Sequence, residues 1–149
     1  MQSVHPYLNF KGDAEEAFSL YRSVFGGEFL GVLRFRDFGD NSMGVPEADL
    51  DKIAHITLPL AEGTNLMGSD VVGSDAESFI VGSNNYIYLE TDTGEEADRV
   101  YSALSEGGQA EMPLMATEWA EKYGTCVDPF GVRWMVSFTG SVEFSMPSE

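Results

Sequence analysis

The sequence predicts an α+β protein made of two copies of one strand–helix–three-strand unit. Two observations carry that prediction. Residues 15–27 read EEAFSLYRSVFGG, and residues 95–108 read EEADRVYSALSEGG. Glu15-Glu16-Ala17 matches Glu95-Glu96-Ala97, Leu20-Tyr21 matches Val100-Tyr101, Val24 matches Leu104, and a Gly-Gly pair closes each copy. Internal similarity at a fixed offset marks a repeated unit whose copies cannot bury their apolar faces alone. The second observation is what surrounds the two stretches. Short segments of apolar alternation, separated by Gly, Pro, Asn and Asp, precede and follow each helical pattern.

In the first copy, Val4 to Phe10 alternates as a strand. Leu8 and Phe10 take one face, and His5, Tyr7 and Asn9 the other. Lys11-Gly12-Asp13 turns, and Asp13 with Glu16 three residues on has the form of a capping box. The helix that follows aligns Ala14, Ala17, Phe18, Tyr21 and Phe25 on one stripe, and Gly26-Gly27 ends it. Glu28 to Phe38 reads as a second strand, and 39–51 as a loop. Ile53 to Leu60 is the third strand, with Ala54, Ile56 and Leu58 on one face and Ile53, His55 and Thr57 on the other. Glu62-Gly63-Thr64 turns into a fourth strand, Asn65 to Ser69. Repeat one thus spans about 4–70, in line with ordinary unit sizes.

Residues 71–84 are the linker, and Phe79-Ile80-Val81 is apolar enough to be pinned against something. Repeat two, residues 85–138, has a strand at Tyr86 to Thr91, with Ile87 and Leu89 opposite Tyr86, Tyr88 and Glu90. Its helix runs from Glu95 to Glu106, with Asp92 or Thr93 as cap. Gln109 to Thr117 is extended, and Pro113 confines it to an edge or a bulge. Tyr123 to Val127 and Val132 to Phe138 form a hairpin around Asp128-Pro129-Phe130-Gly131. The tail, 139–149, places Val142, Phe144 and Met146 at alternate positions, suited to fraying or to an edge strand.

The chain has 149 residues, the length of one domain, and 43% of them are hydrophobic. Its formal net charge is −17. Nucleic acid and anionic membranes are disfavoured as partners, because both are bound by clustered Lys and Arg. One cysteine, Cys126, leaves no internal disulfide and suits a reducing compartment. No apolar run is long enough to span a bilayer and no basic-then-apolar leader opens the chain, so the expected location is the cytoplasm.

Several ordered blocks resemble a known family. They are Pro6-Tyr7-Leu8-Asn9-Phe10, the helix from Ala17-Phe18 to its end at Phe25-Gly26-Gly27-Glu28, Ile53-Ala54-His55, Met67-Gly68-Ser69-Asp70, and Trp119 through Tyr123-Gly124 to Asp128-Pro129-Phe130-Gly131-Val132-Arg133-Trp134-Met135. The whole resembles the vicinal-oxygen-chelate superfamily of glyoxalases, bleomycin-resistance proteins and extradiol dioxygenases, and within it the PhnB-like branch. Some members of that branch carry a ubiquinone methyltransferase label. No glycine-rich nucleotide loop follows the first predicted strand. The resemblance implies one glyoxalase-like domain in which curved, mostly antiparallel sheets face a cavity, and a homodimer. It places the superfamily's four metal-ligand positions at His5, Met67, Tyr86 and Met135. Only His5 is an ordinary ligand for a catalytic divalent ion, and thioethers suit copper(I).

The residues leave several chemistries open. His5 and His55 share a predicted face, as a proton-transfer or ligand pair or as satisfied cavity histidines. With Glu90 they complete a conceivable metal-binding or catalytic set. Tyr7, Met67, Tyr86, Tyr88, Trp119, Tyr123 and Met135 are candidates to line a small-molecule site, with core packing as the alternative. Cys126 has little nearby to activate it and reads as a structural thiol. The expected function is binding of a small molecule without a cofactor or metal. A metal-dependent lyase, isomerase or dioxygenase and a drug-sequestering protein stand as alternatives.

Overall fold

The computed structural model describes residues 1–148, which divide into two compact units, 1–80 and 81–148. In the first, β1 (Tyr7–Phe10) leads to helix α1 (Ala14–Phe25), then β2 (Gly31–Arg34), β3 (Ile53–Ala61) and β4 (Thr64–Asp70). A short helix, α2 (Ser74–Glu77), follows. In the second, β5 (Ile87–Glu90) leads to helix α3 (Gly94–Ser105), then β6 (Gln109–Met115), β7 (Lys122–Val127) and β8 (Arg133–Phe138). The strand orders are β1-β4-β3-β2 and β5-β8-β7-β6. In each sheet the first strand runs parallel to the last and the other pairings are antiparallel. Two βαβββ units with one topology are what the duplicated helix pattern predicts.

Each helix covers one face of its own sheet. In α1, Ala14, Ala17, Phe18, Tyr21 and Val24 are buried against Phe10, Ile56, Leu58 and Leu66. Phe18 meets Phe10 and Tyr21 edge to face, an arrangement aromatic quadrupoles favour. The approach is so close that a Cβ on Gly68 would sit 2.7 Å from the Phe18 ring. In α3, Ala97, Val100 and Leu104 pack on Cys126, Trp134 and Val136, all fully or almost fully buried. The opposite face of each sheet carries no helix of its own unit.

Local chemistry departs from the sequence expectations at several points. Asp13 makes no side-chain cap on α1. Asp70, at the end of β4, takes that role from a distance. Its Oδ1 accepts the N–H groups of Gly12 and Ala14, each at 3.0 Å, and its Oδ2 accepts that of Ile53 at 2.9 Å. In α3 the cap is Thr93, whose Oγ1 accepts from the Glu96 N–H. The second strand is shorter than 28–38, because residues 35–38 wind into a 3₁₀ turn held by Arg36–Asp51 and Arg34–Glu15 pairs. A register break pairs Leu33 with His55 but Arg34 with Ile53. The skipped residue, Ala54, turns Ile53 over into the core, away from the face of His55 and Thr57. Phe79 is half-buried, but Ile80 and Val81 are exposed rather than pinned. The tail turns at Thr139–Val142 and forms no strand over 142–148.

Candidate functional site

Cross-strand register decides which side chains share the helix-free faces. In the first sheet Tyr7 pairs with Met67, and Met67 with Thr57. In the second, Tyr88 pairs with Met135, and Met135 with Thr125. The same Tyr–Met–Thr row therefore crosses both units at equivalent positions. In each the Tyr is exposed, the Met half-buried and the Thr buried. Successive strand residues face opposite sides, so the flanking row on the same face is Asn9–Ser69–His55–Leu33 in one unit and Glu90–Ser137–Tyr123–Met115 in the other.

In the first unit Tyr7 reaches diagonally to His55, with its hydroxyl 3.1 Å from Nδ1. The two rings lie 5.6 Å apart at a 35° tilt. His55 Nε2 is 2.8 Å from Thr57 Oγ1, so both ring nitrogens are engaged. His5 sits elsewhere. Its Nδ1 accepts the backbone N–H of Asn65 at 3.0 Å. From that row to the row of His55 is about 13 Å along the strands and about 10 Å across them. The two histidines share a face but do not meet. His5 is also one row away from Met67, whose lateral neighbour is Tyr7.

In the second unit Tyr88 donates to Glu90 Oε1 at 2.9 Å. Thr139 donates its N–H to Glu90 Oε2 at 2.7 Å and its hydroxyl to Oε1 at 2.9 Å. Burial by itself would raise the Glu90 pKa. The Thr139 N–H, the Tyr88 and Thr139 hydroxyls and nearby Ser137 outweigh it, and the carboxyl is held below the usual glutamate range. Burial raises the pKa of Tyr88. Ser137 is fully buried beside both groups, yet its hydroxyl makes no hydrogen bond of ordinary geometry. Trp119, 41% exposed, stands edge to face on Tyr123, with centroids 5.3 Å apart at 74°.

Sequence reasoning left out a second polar group on this face. The bulge at Ala110/Met112 leaves Glu111 free of the ladder, and it crosses the sheet to Arg133. Arg133 Nη1 donates to Glu111 Oε2 at 2.9 Å and lies 3.4 Å from the Tyr86 hydroxyl, which donates to Glu111 Oε1 at 2.8 Å. The guanidinium also stacks 5.8 Å from the Tyr86 ring centroid. Tyr86 is thus tied into an ion pair one row from Met135. The signal was the bulge-forming Pro113 strand with a lone acid opposite a lone Arg. Cys126 is on the helix side, buried, and burial pushes its thiol up to about 12.

These donors do not fit a divalent catalytic ion. Among the described residues no three His, Cys, Asp or Glu side chains gather to hold one. The cross-strand pairs at the sheet centres are phenol and thioether, and His55 has both nitrogens engaged.

The comparisons with known proteins agree with the duplicated architecture. The family described as 3-demethylubiquinone-9 3-methyltransferase matches residues 2–137. Protein YjdN of Escherichia coli is 30% identical over 139 residues, covering 89% of this chain and 92% of its own. The crystal structure of PA1353 from Pseudomonas aeruginosa is 37% identical with a TM-score of 0.80, covering 93% of this chain and 98% of that one. A PhnB protein from Bacillus cereus is 28% identical with a TM-score of 0.74, covering 92% and 99%. A fosfomycin resistance protein, FosX from Listeria monocytogenes, solved with Mn(II), shares the fold alone at 13% identity and a TM-score of 0.61, covering 95% of this chain and 92% of that one. The chain belongs to the 3-demethylubiquinone-9 3-methyltransferase family, the PhnB-like group within the vicinal-oxygen-chelate fold.

Proposed function

We propose that this protein binds a small organic molecule on its helix-free sheet faces and does so without a resident metal. The observation that carries the reading is the twinned Tyr–Met–Thr row. Packing constrains the exposed Tyr positions weakly, and the flanking rows differ between the units. The same three side chains nevertheless stand at the same register in both. A phenol edge, a polarizable thioether and a hydroxyl suit a partly apolar ligand with a few polar atoms. In this reading Tyr7 and Met67 contact a ligand on the first sheet; on the second, Tyr88 and Met135 contact one, with Trp119 and Tyr123 as aromatic walls and Tyr86 held beside Arg133. Methyl transfer is not adopted. Each sheet has a single parallel pair, whereas nucleotide cofactors typically bind at the strand ends of doubly wound parallel sheets.

The test is equilibrium dialysis against nickel, zinc, manganese and ferrous ions, followed by elemental analysis. Substoichiometric metal is the expected result, and one tightly held ion per chain overturns the reading. A proton-transfer enzyme is the second reading, favoured by the Tyr7–His55 hydrogen bond. It requires His55→Ala to abolish any turnover found. We also infer a homodimer in a reducing cytoplasm. The exposed Ile80, Val81, Phe144 and Met146 support self-association, and light scattering tests it. The lone buried thiol supports the compartment. Among the described residues no helix is long and apolar enough to cross a membrane.

A further inference from the structure

On the helix-free face of the second sheet, one carboxylate has no cationic partner. Among the described residues, Glu90 forms no ion pair, and Arg133, the cation on that face, is taken by Glu111. Three aromatic residues accompany Glu90, one in contact with it, one along its row and one beyond. Tyr88 is hydrogen-bonded to it, Tyr123 lies in its row across Ser137, and Trp119 stands nearly perpendicular to Tyr123. We propose that Tyr88, Tyr123, Trp119 and Glu90 form a subsite for an alkylated ammonium group of the bound ligand.

Two features select that chemistry. Ring faces carry negative potential and attract a cation within about 6 Å of their centroids. The Glu90 carboxylate adds a full charge, but its oxygens are already occupied. Oε1 accepts two hydroxyls, and Oε2 accepts the Thr139 N–H with Ser137 close by. A primary ammonium needs acceptors for three N–H donors, and this carboxylate has few to offer. A quaternary ammonium needs none and gains from charge and ring faces alone. The net charge of −17 raises the local concentration of such cations. This inference rests on the small-molecule reading above but is decided by a different measurement.

Isothermal titration calorimetry of the full chain with choline, ethanolamine and 3,3-dimethylbutan-1-ol tests it. The last is the uncharged shape-mimic of choline. Choline is expected to bind saturably, about tenfold tighter than either comparator. Glu90→Gln and the exposed-site variant Trp119→Leu should each weaken choline about tenfold or more while far-UV circular dichroism and the thermal midpoint stay native. Glu143→Gln, on the exposed tail, should leave binding unchanged. Equal affinity for the neutral mimic, preference for ethanolamine, absence of choline binding, or full binding by folded Glu90→Gln overturns the proposal. None of those outcomes touches the metal-free reading, which metal content decides.

Discussion

Asp70 offers the sharpest test of how the first unit holds together. Its carboxylate is 4% exposed and accepts three backbone N–H groups, from Gly12, Ala14 and Ile53. It thereby joins the β1–α1 turn, the first turn of α1 and the start of β3. An unsatisfied buried donor costs about 1–3 kcal/mol. Asp70→Ala orphans three, although the partly buried Gly12 N–H can recruit water, so the expected loss is about 3–5 kcal/mol. Asp70→Asn is more discriminating. With its oxygen in place of Oδ1 it keeps Gly12 and Ala14, but its NH₂ then faces the Ile53 N–H, donor against donor. That leaves two buried donors unpaired, the Ile53 N–H and the amide N–H facing it, a loss of about 2–4 kcal/mol. Urea unfolding followed by far-UV circular dichroism measures both, with the denaturant slope unchanged for a native-state effect. Asp70→Asn within about 0.5 kcal/mol of the parent would refute the keystone role.

Other expectations follow from the same geometry. Gly68→Ala drives a methyl into Phe18 and the Leu8 carbonyl, and should lower stability by about 1–3 kcal/mol in the same assay. Tyr7→Phe removes one exposed hydrogen bond, so stability should fall by no more than about 1 kcal/mol; a larger drop in the thermal midpoint would show that Tyr7 serves packing. Cys126, with its thiol pushed up to about 12, should resist Ellman's reagent at mildly alkaline pH until denaturant is added; rapid reaction of the native protein would contradict its burial. Glu90 has a lowered pKa in the folded chain, so its contribution is present above the ordinary glutamate pKa and lost as pH falls through the folded value. The stability gap between the parent and Glu90→Gln should therefore narrow on acidification, and a gap independent of pH would argue against the Thr139 and Tyr88 bonds.

Elements set by neighbours in sequence were legible before the structure. Gly26-Gly27 marked the end of α1, and the alternation of Ile56 and Leu58 marked β3 as half-buried. What stayed hidden depends on partners far apart along the chain. Asp13 fits a local cap, yet it makes none, and Asp70 instead holds the Gly12 and Ala14 N–H groups from the far end of the unit. The skipped Ala54 is visible only once β2 is paired, and it alone explains why Ile53 is core. The site followed the same rule. Its residue types were readable, but their adjacency was not, because β1 and β4 pair in parallel across an intervening helix and hairpin. Met67 was matched by position with His5, and register gives it Tyr7 instead. Glu111 and Arg133 escaped notice because a bulge, not alternation, turns Glu111 onto their common face.

One outermost strand of each sheet is irregular. β2 loses register between Leu33 and Arg34, and β6 does so twice around Pro113. A foreign strand seeking to add beside β2 or β6 meets a kinked margin with missing or misaligned donors. Leu33 and Met115 lie bare along those two margins, which the irregularity protects against ribbon-like accretion. Straightening β6, for instance by replacing Pro113 with Val, would remove that protection before it altered anything in the interior.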